Sequence, residues 1–92
     1  LRVDVARHEV TRAGESIRLT AKEFDILALL ASQPGRVFTR DQIINAVWDY
    51  EFPGETRIVD VHISKLRDKI EHDPSNPELI KTVRGVGYKL AN

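Results

Sequence analysis

The 92-residue sequence contains no cysteine, which removes a disulfide framework, a thiolate nucleophile and a cysteine-ligated zinc site at once. Stability must come from packing alone. No apolar run approaches the ~20 residues needed to span a bilayer, and the N-terminus lacks the basic, apolar, small-residue order of a secretory signal. A cytoplasmic domain is therefore the default expectation. Net charge is also missing: 14 Lys and Arg balance 14 Asp and Glu, which counts against a domain held to nucleic acid by indiscriminate attraction. The length supports one modest core and is too short for a two-domain enzyme cleft. The chain opens on Leu1 rather than a methionine, so a partner domain is expected upstream.

What is present is an ordinary globular composition, 41% apolar and 30% charged, with charge unevenly placed. Residues 1–56 carry seven Lys/Arg against nine Asp/Glu, and residues 57–92 carry seven against five. From Leu79 onward Lys81, Arg84 and Lys89 face no acid. The C-terminal third is the electropositive end, where a polyanion should bind.

Residues 1–19 alternate apolar and polar in short runs, with Gly14 and Glu15 as a turn, and predict an antiparallel meander. Thr20-Ala21-Lys22-Glu23 is a capping box that starts a helix with Phe24, Leu27, Ala28, Leu30 and Ala31 on its apolar face, stopped by Pro34-Gly35. Thr39-Arg40-Asp41-Gln42 repeats that logic before Ile43, Ile44, Val47 and Trp48. A loop containing Pro53-Gly54 follows, and Thr56 can cap a third helix. Beyond the turn 72–77 the pattern returns to strands, Leu79 to Val83 and Tyr88 to Leu90, joined as a hairpin whose glycines allow positive φ.

The third helix is the informative segment. At 100° per residue Val59, Ile63, Leu66 and Ile70 form one narrow stripe, while Arg57, Val61, Ser64, Lys65 and Asp68 gather opposite. Cations suit phosphate or guanine, hydroxyls suit either, and a valine suits a thymine methyl. The segment alone is equally consistent with a surface helix bearing one exposed valine. Two short helices, a basic third helix and a basic hairpin nevertheless form the order of a winged helix-turn-helix, an α+β fold. Residues 1–19 would be its N-terminal sheet, 20–72 its three-helix core and 79–91 its wing.

Competing chemistries find little support. His62 has no second histidine four residues away, as a helical zinc site would need. Asp60, His62 and Ser64 cannot share a proton relay, because the wheel turns the histidine well over 100° from both others. Gly85-Val86-Gly87 precedes a strand rather than the helix that a phosphate loop requires. Asp60 is expected to partner a nearby cation, and Tyr88 to brace the wing rather than stack on a base. A winged helix used as a protein-interaction module remains a rival that the neutral total charge permits.

RIVDVHISKLRDKIE followed by LIKTVRGVGYKL, with TAKEFDILALLASQPGRVFTRDQIINAVW upstream, resembles the effector domain of the OmpR/PhoB family of bacterial response regulators over nearly the whole chain. The resemblance implies a transcription factor of a two-component phosphorelay, with no catalysis and no cofactor, whose third helix enters the major groove of double-stranded DNA. By position Arg57, His62, Lys65 and Arg67 match contacts on or beside that helix, Thr82 and Arg84 match wing contacts, and Trp48 matches a backbone contact. Wheel geometry makes Arg67 a phosphate contact; Arg57, Val61 and Lys65 are the expected readers, with Ser64 beside them. In similar proteins the loop occupied here by Asp49, Tyr50, Glu51, Phe52, Pro53, Gly54 and Glu55 contacts RNA polymerase.

Further partners implied by the resemblance are the protein's own receiver domain, a cognate histidine kinase acting through it, and promoter direct repeats that pair two otherwise monomeric domains. Some relatives carry this domain on a membrane-anchored protein instead. Two departures from the family are visible. Ser64 stands where members often carry a basic residue, and the first of the usual four N-terminal strands has no counterpart in residues 1–19.

Overall fold

The computed structural model describes residues 1–48 and 56–91; the expected polymerase-contact loop, residues 49–55, lies outside them. Along the chain run β1 (Arg2–Asp4), β2 (Glu9–Arg12), β3 (Glu15–Ile17), α1 (Ala21–Ser32), β4 (Phe38–Thr39), α2 (Arg40–Trp48), α3 (Arg57–Ile70), β5 (Ile80–Val83) and β6 (Gly87–Leu90). The first three strands form the predicted antiparallel meander. Val3 pairs with Val10 and Val10 with Ile17, so one apolar row crosses the sheet and packs on the core. The turn is Ala13–Gly14, both at positive φ, and Glu15, expected in the turn, instead pairs with Arg12. Positive φ at both turn residues matches the twist of the flanking strands, which frees Glu15 for the ladder.

α1 is the central helix, packed by α2, α3, β6 and β1. Its capping box is complete: the Glu23 amide donates to Thr20 Oγ1 at 3.3 Å, and the Thr20 amide donates to Glu23 Oε1 at 3.0 Å. Because neighbours cover more than one side, Ile26 is buried along with the expected Phe24, Leu27 and Leu30. The second capping box also forms, with the Gln42 amide on Thr39 Oγ1 at 3.1 Å and the Thr39 amide on Gln42 Oε1 at 2.9 Å.

Thr39 does a second job that its capping signal concealed. With Phe38 it forms β4, which pairs with β6, so the predicted hairpin is one part of a three-stranded sheet ordered β4-β6-β5. The pairing explains Gly87. Its backbone does not need positive φ, as Gly85 does at +74°; instead a Cβ there would lie 2.0 Å from the Phe38 carbonyl oxygen. Only a residue without a side chain lets the two strands approach.

α3 departs from expectation at its start. Thr56 has helical angles, φ −103° and ψ −4°, and its side chain makes no cap hydrogen bond. An extended N-cap residue aims its hydroxyl at the first amides, which a helical threonine does not. At the other end the buried Glu71 carboxylate accepts the amides of Glu78 at 2.9 Å, Leu79 at 3.1 Å and Ile80 at 2.8 Å. The proline-containing turn is thus closed around an anion, where the sequence suggested only a helix breaker.

Among the polar links that join the helices to each other and to the C-terminal sheet, two centre on an ion pair. Lys69 Nζ of α3 meets Glu23 Oε1 of α1 at 2.6 Å, with Glu23 only 2% exposed. Burial pushes the Glu23 carboxyl up, but hydrogen bonds from Lys69 and the Thr20 amide outweigh it and hold the group below its ordinary 4.5. The Asp60 carboxylate of α3 accepts Arg40 Nε of α2 at 2.8 Å and the Tyr88 hydroxyl of β6 on the same oxygen. That hydrogen bond raises the Arg40 pKa above its usual value. Burial, then the hydrogen bond and charge of Asp60, raise the Tyr88 hydroxyl above its ordinary 10.0.

Replacing Glu23 by glutamine is expected to cost about 2 kcal/mol at neutral pH, read by urea unfolding. A lowered folded-state pKa means the contribution is complete above 4.5 and is lost as pH falls through the folded value, so the gap to wild type should close in acid. A gap independent of pH would remove the carboxylate from the account. Replacing Tyr88 by phenylalanine should cost about 1 kcal/mol. Here the folded pKa is raised, so the hydroxyl's contribution is complete below 10.0 and fades as pH rises further. The test is whether the wild-type advantage over Tyr88→Phe shrinks in alkali.

Candidate nucleic-acid interface

α3 is partitioned as its wheel predicts. Val59, Ile63, Leu66 and Ile70 are buried, while Arg57, Val61, Ser64, Lys65 and Asp68 are exposed. Val61 is 51% exposed between Arg57 and Lys65 along the same face. The buried stripe prevents the helix from rotating, because any turn about its axis would bring charged groups into the core. Two cations, a hydroxyl and an exposed branched side chain are therefore presented together on a rigid element. Such a face offers different chemistry at successive positions, which a uniform charge coat would not.

Two further expected site residues meet beside this face. His62 is half-buried, with Nδ1 at 2.9 Å from the Ile58 carbonyl oxygen. Since the carbonyl can only accept, Nδ1 carries the hydrogen. The His62 ring stands edge-on to Trp48, centroids 5.2 Å apart. Trp48, at the end of α2, is half-buried as expected, and Lys22 Nζ lies 5.4 Å from its ring centre while donating to the Val47 carbonyl at 2.9 Å. Lys22 adds a cation from α1 that sequence spacing could not connect with Trp48.

The remaining residues lie on the wing. Thr82 is exposed on β5, and Arg84 is exposed in the turn, where the Val86 amide donates to the Val83 carbonyl at 3.0 Å. Val86 is 46% exposed at the tip, a placement that the glycines on either side of it had hidden. Arg67 does not join the exposed face of α3. It is half-buried, and its Nη2 donates at 2.8 Å to both the Ile80 carbonyl and Thr82 Oγ1. Thus the structure brings Arg67 to Thr82 and Trp48 to His62. Arg57, Val61, Ser64 and Lys65 share a face, and Arg84 extends from the wing.

Residues 14–90 match the family described as "Transcriptional regulatory protein, C terminal". The chain is 55% identical over 87 residues to the DNA-binding response regulator MtrA of Mycolicibacterium smegmatis, covering 95% of this chain and 38% of MtrA. It thus spans less than half the length of that relative. The DNA-binding domain of Klebsiella pneumoniae RstA, solved in complex with the RstA box, superposes with a TM-score of 0.89 at 36% identity, over 97% of this chain and 88% of that one. DrrB, a Thermotoga maritima OmpR/PhoB homologue, gives 0.88 at 39% identity over 98% of this chain and 41% of its own. With three helices, two antiparallel sheets and a basic wing among the described residues, the chain belongs to the C-terminal effector domains of the OmpR/PhoB family and has their winged helix-turn-helix fold.

Proposed function

We propose that this chain is the sequence-specific, double-stranded DNA-binding effector domain of a bacterial two-component response regulator that controls transcription. The observation that carries it is the exposed face of α3, where Arg57, Val61, Ser64 and Lys65 stand together against a fully buried opposite stripe. In this reading α3 lies in the major groove, with Arg57 and Lys65 addressing guanine or phosphate and Val61 a thymine methyl. Ser64 takes a position where a hydroxyl tolerates more than one base edge, so it shapes this protein's own site preference. His62 and Trp48 meet the phosphate backbone beside α3, while Thr82 and Arg84 reach an adjacent stretch of duplex from the wing.

The domain acts by binding, without catalysis or a cofactor. Residues 49–55 are proposed to contact RNA polymerase. A receiver domain upstream, phosphorylated by a histidine kinase, would bring two otherwise monomeric copies to direct repeats. The proposed site of action is the cytoplasm, where a DNA-binding response regulator would meet its promoters; among the described residues no helix is long and apolar enough to cross a membrane.

Selection from random duplex at low salt should enrich a site. Absence of any enriched sequence would favour the protein-interaction rival. On the selected duplex, Lys65→Ala or Arg57→Ala should lose about 1–3 kcal/mol of discrimination if the residue reads a base, or affinity at all sequences if it meets a phosphate. Unchanged affinity of both variants across a salt series would sink the assignment of α3. Arg84→Ala should weaken binding irrespective of major-groove sequence and reduce the salt slope by about one. A loss confined to particular major-groove base pairs would contradict its wing role.

A further inference from the structure

Arg67 is placed unlike a side chain displayed for a ligand. Both hydrogens of Nη2 are committed to β5, one to the Ile80 carbonyl and one to Thr82 Oγ1. Its guanidinium carbon lies 5.5 Å from the centre of the Tyr88 ring. Its Nε is buried with no hydrogen-bond partner among the described residues. A long side chain held this way gives up on the order of 2 kcal/mol of rotamer freedom. Those two hydrogen bonds offset that loss, and they join α3 to the wing.

A second link runs from the same helix to the neighbouring strand, through Asp60 and the Tyr88 hydroxyl. Arg40 takes part as well, bonded to Asp60 and 5.2 Å from the centre of the Tyr88 ring. Asp60 and Arg67 are seven residues apart, two helical turns or roughly 10 Å along α3. β6 is held to β4 and the start of β5 to Glu71, so what Arg67 adds is a tie between α3 and the wing end of β5, at Thr82. Two attachments, on adjacent strands and two turns apart, set the angle of the hairpin.

We infer that Arg67 is a positioning residue, which locks β5 against α3 and so sets where Thr82 and Arg84 stand relative to Arg57, Val61 and Lys65. This role differs from the phosphate contact expected from its place on the helical wheel, and it rests on the DNA-binding function proposed above. Affinity then depends on Arg67 through pre-organisation. A wing already held at the correct angle gives up less freedom when it docks.

The test measures the affinity of this chain for a duplex selected from random sequence by the wild type. Arg67→Gln and Arg67→Lys are made alone and on an Arg84→Ala background, which leaves Thr82, the partner of Arg67, in place. Arg67→Gln should weaken binding roughly tenfold alone but no more than about twofold on the Arg84→Ala background, where the charged wing contact to be positioned is gone. Arg67→Lys keeps the charge and stem but replaces the planar fork with a single ammonium, and it should behave like glutamine.

Equal losses on both backgrounds, rescue by lysine, or no loss at all would overturn the inference. A direct phosphate contact gives the first two results. General destabilisation gives equal losses, because it reduces the active fraction regardless of the wing. Should Arg67→Gln fail to fold by circular dichroism, the lysine variant decides alone, and wild-type affinity there sinks the inference. Failure of the wild type to enrich any duplex would strike the DNA-binding function instead, so the two failures are distinguishable.

Discussion

One oxygen of the Asp60 carboxylate receives hydrogen bonds from α2, through Arg40, and from β6, through Tyr88. The presentation of the candidate interface depends on that junction, because Asp60 itself belongs to α3 and flanks the face that carries Arg57 and Lys65. Three elements from distant parts of the chain are thus referred to a single atom. The Tyr88 ring is 5% exposed, so its hydroxyl must find a partner within the protein, and Asp60 supplies one. The close pairing of β6 with β4 at Gly87 and Phe38 then holds Tyr88 in reach.

The same economy explains how a chain of zero net charge can present a basic face. Asp60 is occupied by Arg40 and Tyr88, Glu71 by three backbone amides, Glu23 by Lys69 and the Thr20 amide, and Asp73 by Ser75. These acids serve structure, and their charge is satisfied locally. Lys65 and Arg84 stand exposed on α3 and the wing. Net charge is therefore a poor guide to the field at one face, since field depends on where charges sit as well as how many there are. Asp68 is exposed on α3 as well, an acid that would favour alignments keeping it away from phosphate.

Much of the architecture was legible because it rests on short-range patterns. Both threonine capping boxes formed as written, and Val59, Ile63, Leu66 and Ile70 are buried at the spacing that defined α3. The partner of Asp60 was expected to be a cation, but nothing local identified Arg40, twenty residues earlier on another helix. β4 escaped notice because two residues cannot show a period of two, and a stronger capping signal occupied the same threonine. Thr56 misled in the opposite direction: the residue type suited a cap, but the backbone conformation did not.

Arg67 marks the boundary between the two kinds of information. The sequence by itself determined that α3 would be amphipathic, which residues would face the core and which the solvent, because those follow from a helical period and the cost of burying charge. It could also place Arg67 at the edge of the polar face. Whether that edge would meet solvent or another element depended on how β5 and β6 return against α3 after the turn around Glu71. Only the tertiary structure decided that, since long-range packing is set by the joint fit of many side chains and by hydrogen bonds with no local sequence signature.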